Sequence, residues 1–119
     1  MAPNALSAST LIGDPVRNPA GEDLGELEEI VIFLDSGKVA YAVLSAGGVM
    51  GLGDRYFAVP WSMLTVDTDA HAVVVDVDKD MIENAPGFDK DNWPSGEDSE
   101  WLTRVYSHYG EEPFWQTSA

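Results

Sequence analysis

Three aspartates at alternate positions, Asp76, Asp78 and Asp80, look like the start of an oxygen-lined cation site. Carboxylates spaced this way open a calcium loop, which then needs a glycine at its sharp turn and a bidentate glutamate at its end. Met81 and Gly87 occupy those two places, so the pattern breaks off and predicts no dedicated metal site. A second acidic pair, Asp89 and Asp91, falls in a polar stretch where such residues cap turns. The run GGVMGLGD at 47–54 invites a nucleotide reading through Gly48, Gly51 and Gly53. A phosphate cradle needs a lysine or a helix N-terminus, and this run has neither a Lys-Ser/Thr pair nor a helical pattern after it. His71 and His108 lie far apart, without cysteine partners and away from metal-ligand spacing. No nucleophile elbow surrounds a serine, and no base, nucleophile and oxyanion donors converge. The expectation is a protein that is not an enzyme, with no catalytic residue, cofactor or metal.

What remains is chemistry of contact. Val49, Met50 and Leu52 place apolar side chains at a loop tip, a common contact site for another protein. Trp93, Trp101, Tyr106, Tyr109, Phe114 and Trp115 crowd the C-terminal part, with Phe88 just before them. Such residues are enriched in interface cores. They could fold back as a lid on their own domain or form the seam of a dimer, since both bury the same aromatic surface.

The elements that must carry these residues read as strands. Leu24 to Leu34 is a strand-like run whose Glu26, Glu28 and Glu29 give its early part a wet face. Asp35-Ser36-Gly37-Lys38 is a hairpin turn with glycine where a positive φ is needed. Val39 to Ser45 follows, apolar on both faces, with Val39, Tyr41 and Val43 on one side and Ala40, Ala42 and Leu44 on the other. A strand of that kind must be covered on both sides. Tyr56 to Val59 stops at Pro60, which cannot donate a ladder hydrogen bond. Trp61 to Leu64 reads as a short helical turn with Trp61 in the core, and Thr65–Asp67 with Ala72–Val77 as a last hairpin. Residues 79–84 suggest one helical turn, 88–96 a linker, and 98–109 a helix with Asp98 as N-cap and Gly110 as stop. The division predicted is a flexible 1–7 within a small, polar lead-in of ten residues, a barrel over 8–78, and an extension over 79–119.

At 119 residues the chain is one domain, able to bury about two-thirds of its unfolded surface. It has no cysteine, which removes thiol chemistry and Cys-bound zinc. No apolar run reaches the ~20 residues of a membrane span, and the N-terminus has no signal-peptide pattern, so the expected location is cytoplasmic. Twenty-one acidic residues against six basic ones give a net charge of -15. That surface repels phosphate backbones and anionic lipid, excluding nucleic acid and direct membrane insertion as expected partners. Simple solubility and adaptation to a salty cytoplasm account for the acidity equally well.

The stretch VRNPAGEDLGELEEIVIFLDSGKVAYAVLSAGGVMGLGDRYFAVPW resembles the PRC-barrel domain, a small β-barrel first described in the photosynthetic reaction-centre H subunit. The features that carry the resemblance are NPAGEDLG at 18–25, the SGKVAYAVLS hairpin, and the glycine-rich loop before FAVPW. NAPGFDKDNWP and the aromatic segment after it, ending Ser107-His108-Tyr109-Gly110, are similar to stand-alone bacterial members. The resemblance spans about residues 8 to 115. It implies a mainly β fold, a barrel of about six strands with a short C-terminal helix. It further implies an adaptor or interaction module, some stand-alone members being linked to stress responses. The expectation from residues and resemblance together is a homodimer formed through the aromatic tail and barrel edge. The alternatives are a peripheral scaffold subunit of a larger, reaction-centre-like assembly and a small-ligand sensor using the barrel mouth.

Overall fold

The structure is a computed structural model, described here for residues 6–45, 55–85, 87–89, 93–94 and 99–112. Its centre is a hairpin of two strands, β2 (Asp23–Ile32) and β3 (Val39–Ser45). Ahead of them come a single helical turn α1 (Ala8–Leu11) and a short strand β1 (Pro15–Arg17). After them come β4 (Arg55–Val59), a 3-10 turn at Trp61–Met63, β5 (Leu64–Asp67), β6 (Ala72–Val75), α2 (Lys79–Glu83), β7 (Gly87–Asp89) and α3 (Ser99–His108). The strands form one sheet in the order β5-β6-β1-β2-β3-β4-β7. All neighbours are antiparallel except β1 and β6, where Val16 faces Val73 in parallel. The mainly β fold expected from the sequence is present, but with seven strands instead of six. Among the described residues the end strands β5 and β7 do not pair, so the sheet is unclosed.

Two strands and one helix escaped the sequence reading. β1 and β7 have three residues each, too few for a period-2 pattern to declare itself. β7 falls in the segment read as linker: Phe88 pairs with Tyr56 and Gly87 with Phe57. Gly87 is there because a Cβ would lie 2.9 Å from the Tyr56 carbonyl oxygen and 3.0 Å from the Phe57 ring. α1 starts within the small, polar ten-residue lead-in, just past the 1–7 read as flexible, where no helix was expected. It buries Leu11, and just beyond it Gly13 N–H donates to the Leu27 carbonyl.

The NPAGE segment is a pinned turn. The Asn18 side chain accepts from Glu22 N–H at 2.9 Å and donates to the Glu22 carboxylate at 2.7 Å. It also donates at 3.1 Å to the carbonyl of Val77, 59 residues along the chain. Asn18 is buried, and these bonds satisfy an amide that would otherwise be costly to desolvate. Gly21, at φ 86, supplies the left-handed residue the turn requires.

β2 and β3 obey different rules. β3 is buried from Ala40 to Leu44 without a break, as a strand covered on both faces must be. β2 buries only Leu24 and Leu27, three residues apart. The register against β1 slips between Val16 and Arg17, and the register against β3 slips between Leu27 and Glu29. Each slip inserts an extra residue, which bends the strand and resets the alternation of its faces. Glu28, the extra residue at the second slip, and Glu29 are therefore both exposed.

Candidate interaction surface

The register assigns the two faces of β3. Tyr41 and Val43 share a face with Ala58 and Tyr56 on β4 and with Phe88 on β7. Ala42 and Leu44 share the other with Val59 and Phe57, and Leu27 joins it from β2. Apart from Phe57 this second face is aliphatic, and it is closed: Leu27, Leu44 and Val59 are at most 1 % exposed.

α3 covers the first face. Its residues at helical spacing, Leu102, Val105, Tyr106 and Tyr109, are buried and Trp101 is half-buried, which is the stripe that the sequence shows. Trp101 meets Tyr41 edge-on at 5.5 Å and Phe88 at 5.8 Å. Trp93 packs against Phe88 at 4.9 Å and Tyr56 at 5.5 Å. These separations are those of favourable tilted aromatic contacts, worth about 1 kcal/mol each beyond burial. The Tyr106 hydroxyl donates to the Ala40 carbonyl at 2.6 Å, tying α3 to the start of β3. Burial, with the nearby Glu111 carboxylate, pushes the Tyr106 phenol up to about 12. Among the described residues the buried Tyr109 hydroxyl has no partner, and desolvation raises its pKa too.

The residues singled out for contact therefore divide. Tyr106 and Tyr109 are committed to the chain's own core and present no free ring. Trp101 shows one edge, and Trp93 is 43 % exposed at the outer end of the aromatic seam. Val49, Met50, Leu52, Phe114 and Trp115 lie outside the described residues, as does the expected N-cap Asp98. His71 is exposed in the β5–β6 turn, and His108 makes a 2.8 Å hydrogen bond between its Nε2 and the Met81 carbonyl. Asp78 occupies the N-cap position of α2 without a side-chain capping bond and Asp80 sits in the first helical turn, so the backbone coils into a helix where a calcium loop would wrap around the ion. Among the described residues no three His, Asp or Glu side chains gather as a metal site.

The most prominent exposed apolar residues are not among those singled out for contact: the sequence reads Ile32, with Leu27 and Ile30, as carrying the apolar weight of its strand. Leu34 is 93 % exposed and Ile32 50 % exposed, at the tip of the β2–β3 hairpin. Ile32 lies opposite Val39 in the ladder, and Phe33 N–H donates to the Lys38 carbonyl. Beside this tip opens a cleft of about 690 Å³ lined by Val39, Trp61, Ser62, Tyr106, Glu111 and Glu112, with Gly37 and Lys38 at the turn. Trp61, expected in the core, is half-buried on the cleft wall. Ser62 Oγ donates to the Glu111 carboxylate at 2.7 Å, which fixes the rim. The signal for Leu34 was available: a large apolar residue next to Asp35-Ser36-Gly37 sits on a turn, where burial is hard to achieve.

Among the described residues no helix is long and apolar enough to cross a membrane. No curated protein matches the chain. A family model for the PRC-barrel domain matches residues 3–82, which takes in the Asn18 turn, the β2–β3 hairpin and the strands through β6 but stops short of β7 and α3. That match covers well over half of the sequence and agrees with the motifs at 18–25 and 36–45, and the chain belongs to the PRC-barrel domain family.

Proposed function

We propose that this chain is a non-enzymatic protein-interaction module, an adaptor that works by docking. The observation that carries this reading is the hairpin tip, where Leu34 and Ile32 stand in solvent beside an apolar cleft while the other large aliphatic side chains of β2 to β4 are largely buried. Exposed apolar residues grouped next to a concave wall are what a docking surface needs. PRC-barrel domains often mediate protein interactions, and the family is not a known enzyme family, which favours the same reading.

Self-association as a homodimer belongs to this proposal. With the rings of α3 turned onto the chain's own sheet, one route for a second copy among the described residues is the end strand β5, where Thr65 and Asp67 are exposed. Sedimentation at physiological salt tests it, together with recovery of bound protein from source-cell extract. Twice the 12.9 kDa chain mass supports the homodimer. A stoichiometric second protein moves the reading to a scaffold subunit of a larger assembly. A monomer that recovers nothing sinks the interaction reading.

A further inference from the structure

We infer that the cleft beside the β2–β3 hairpin docks a segment of another protein that carries an apolar side chain flanked by lysine or arginine. This rests on the interaction-module reading above and names the partner's chemistry. The cleft wall is apolar at Val39 and Trp61, and two carboxylates, Glu111 and Glu112, stand on its rim. Ile32 adjoins Val39 across the ladder and Leu34 extends the apolar strip to the tip.

Apolar area alone would accept many partners; the charges choose among them. An acidic peptide or a free phosphate would meet the carboxylates of Glu111 and Glu112, against the single ammonium of Lys38 at the turn. A second copy would bring a further net charge of -15 against the first. A cationic segment instead gains at both carboxylates, and the field of the whole domain draws it in at low salt.

The test uses the full chain and a fluorescein-labelled peptide, Gly-Lys-Phe-Lys-Leu-Lys-Gly. One control peptide has each Lys replaced by Glu; the other has Phe and Leu replaced by Ser. Anisotropy reads affinity, and the NMR signals of the Trp61 indole N–H and the Ile32 and Val39 amides read location. The basic apolar peptide is expected to bind and to shift those three signals. The paired substitution Ile32→Ser with Leu34→Ser should weaken binding roughly tenfold, the effect of removing well-buried aliphatic contacts. Glu111→Gln with Glu112→Gln should weaken it about threefold at low salt, with the difference fading as salt is added. Unchanged amide signals elsewhere establish that both variants are folded.

Equal binding of the Ser control, with shifts spread over the acidic surface, would overturn the inference in favour of unspecific charge attraction. Tighter binding of the Glu control would overturn it as well. Concentration-dependent shifts of the same residues with a doubled mass would make the occupant a second copy, ending this inference while leaving the interaction module standing. Failure of every peptide would remove the cleft as a site, whereas the broader reading falls only if the chain also stays monomeric and recovers no partner.

Discussion

The two faces of β3 are built from different materials. On one, Ala42, Leu44 and Val59 meet Leu27 in a mainly aliphatic contact, with Phe57 its one ring, made wholly within the region matched by the family model. On the other, Tyr41, Val43, Tyr56 and Ala58 are covered by rings from beyond it, Phe88, Trp93, Trp101 and Tyr106. The aliphatic face depends on volume, because its side chains have no polar atom to orient them. The aromatic face adds directional contacts, edge-to-face rings and one phenol aimed at a backbone carbonyl. The barrel and its cover are thus held by different forces, and perturbations can separate them.

The largest expected effect is loss of the cover. Truncation after Pro94 removes α3 and strips Tyr41, Val43 and Ala58, costing on the order of 5 kcal/mol after the ordering entropy of the lost segment is returned. Thermal melts with dye binding check it, and an unchanged melting temperature would mean that the cover contributes nothing. Next comes the aliphatic face: Leu44→Ala leaves a cavity at a fully buried position and should cost about 3 kcal/mol in denaturant unfolding.

The two tyrosines of α3 sharpen the comparison further. Tyr106→Phe orphans the Ala40 carbonyl and should cost about 1 kcal/mol. Tyr109→Phe removes a buried hydroxyl that has no partner among the described residues, so its effect should be near zero or slightly stabilising. Equal costs for the pair would contradict the assignment of their hydroxyls.

Alkaline titration reads the same residues and is silent at neutral pH. The folded state holds the Tyr106 proton up to about 12, above the ordinary tyrosine value of 10.0, and the Tyr109 pKa is raised as well. Stability from these groups is therefore complete below pH 10 and is lost as pH climbs from 10 through 12. The loss measured across that window should be shallower in Tyr106→Phe; an identical slope would remove Tyr106 from the account.

Much of this fold was legible in the residues. Unbroken apolar character from Val39 to Leu44 announced a strand covered twice, Pro60 marked the end of β4, and the spacing from Trp101 to Tyr109 announced α3 with its buried stripe. The bulges were not legible, because an extra residue changes facing without changing residue type. That is why the exposure of Glu28 beside Glu29, and of Ile32 at the far end of the same strand, had to come from coordinates. β7 was hidden by its length, and its clue, Gly87 before an aromatic, takes meaning only once Tyr56 and Phe57 are seen opposite. For the candidate surface, the sequence identified aromatic density but not its direction. Tyr106 and Tyr109 turn inward, while the most exposed large apolar residues of the described chain are the aliphatics Leu34 and Ile32.

The Asn18 pin also sets an order of events. During synthesis β1 leaves the ribosome first, yet its parallel neighbour β6 is made 57 residues later (Val16 to Val73) and the Val77 carbonyl that holds its turn 59 residues after Asn18. The β2–β3 hairpin, whose partners are adjacent in sequence, can form while that stretch is still being synthesised. Closing the long loop to residue 77 is the entropically dearest contact in the barrel, and such contacts slow folding more than they change final stability. The amide of one buried asparagine thus works as a late latch, engaging only after residue 77 has emerged and β1 has its neighbour on each side.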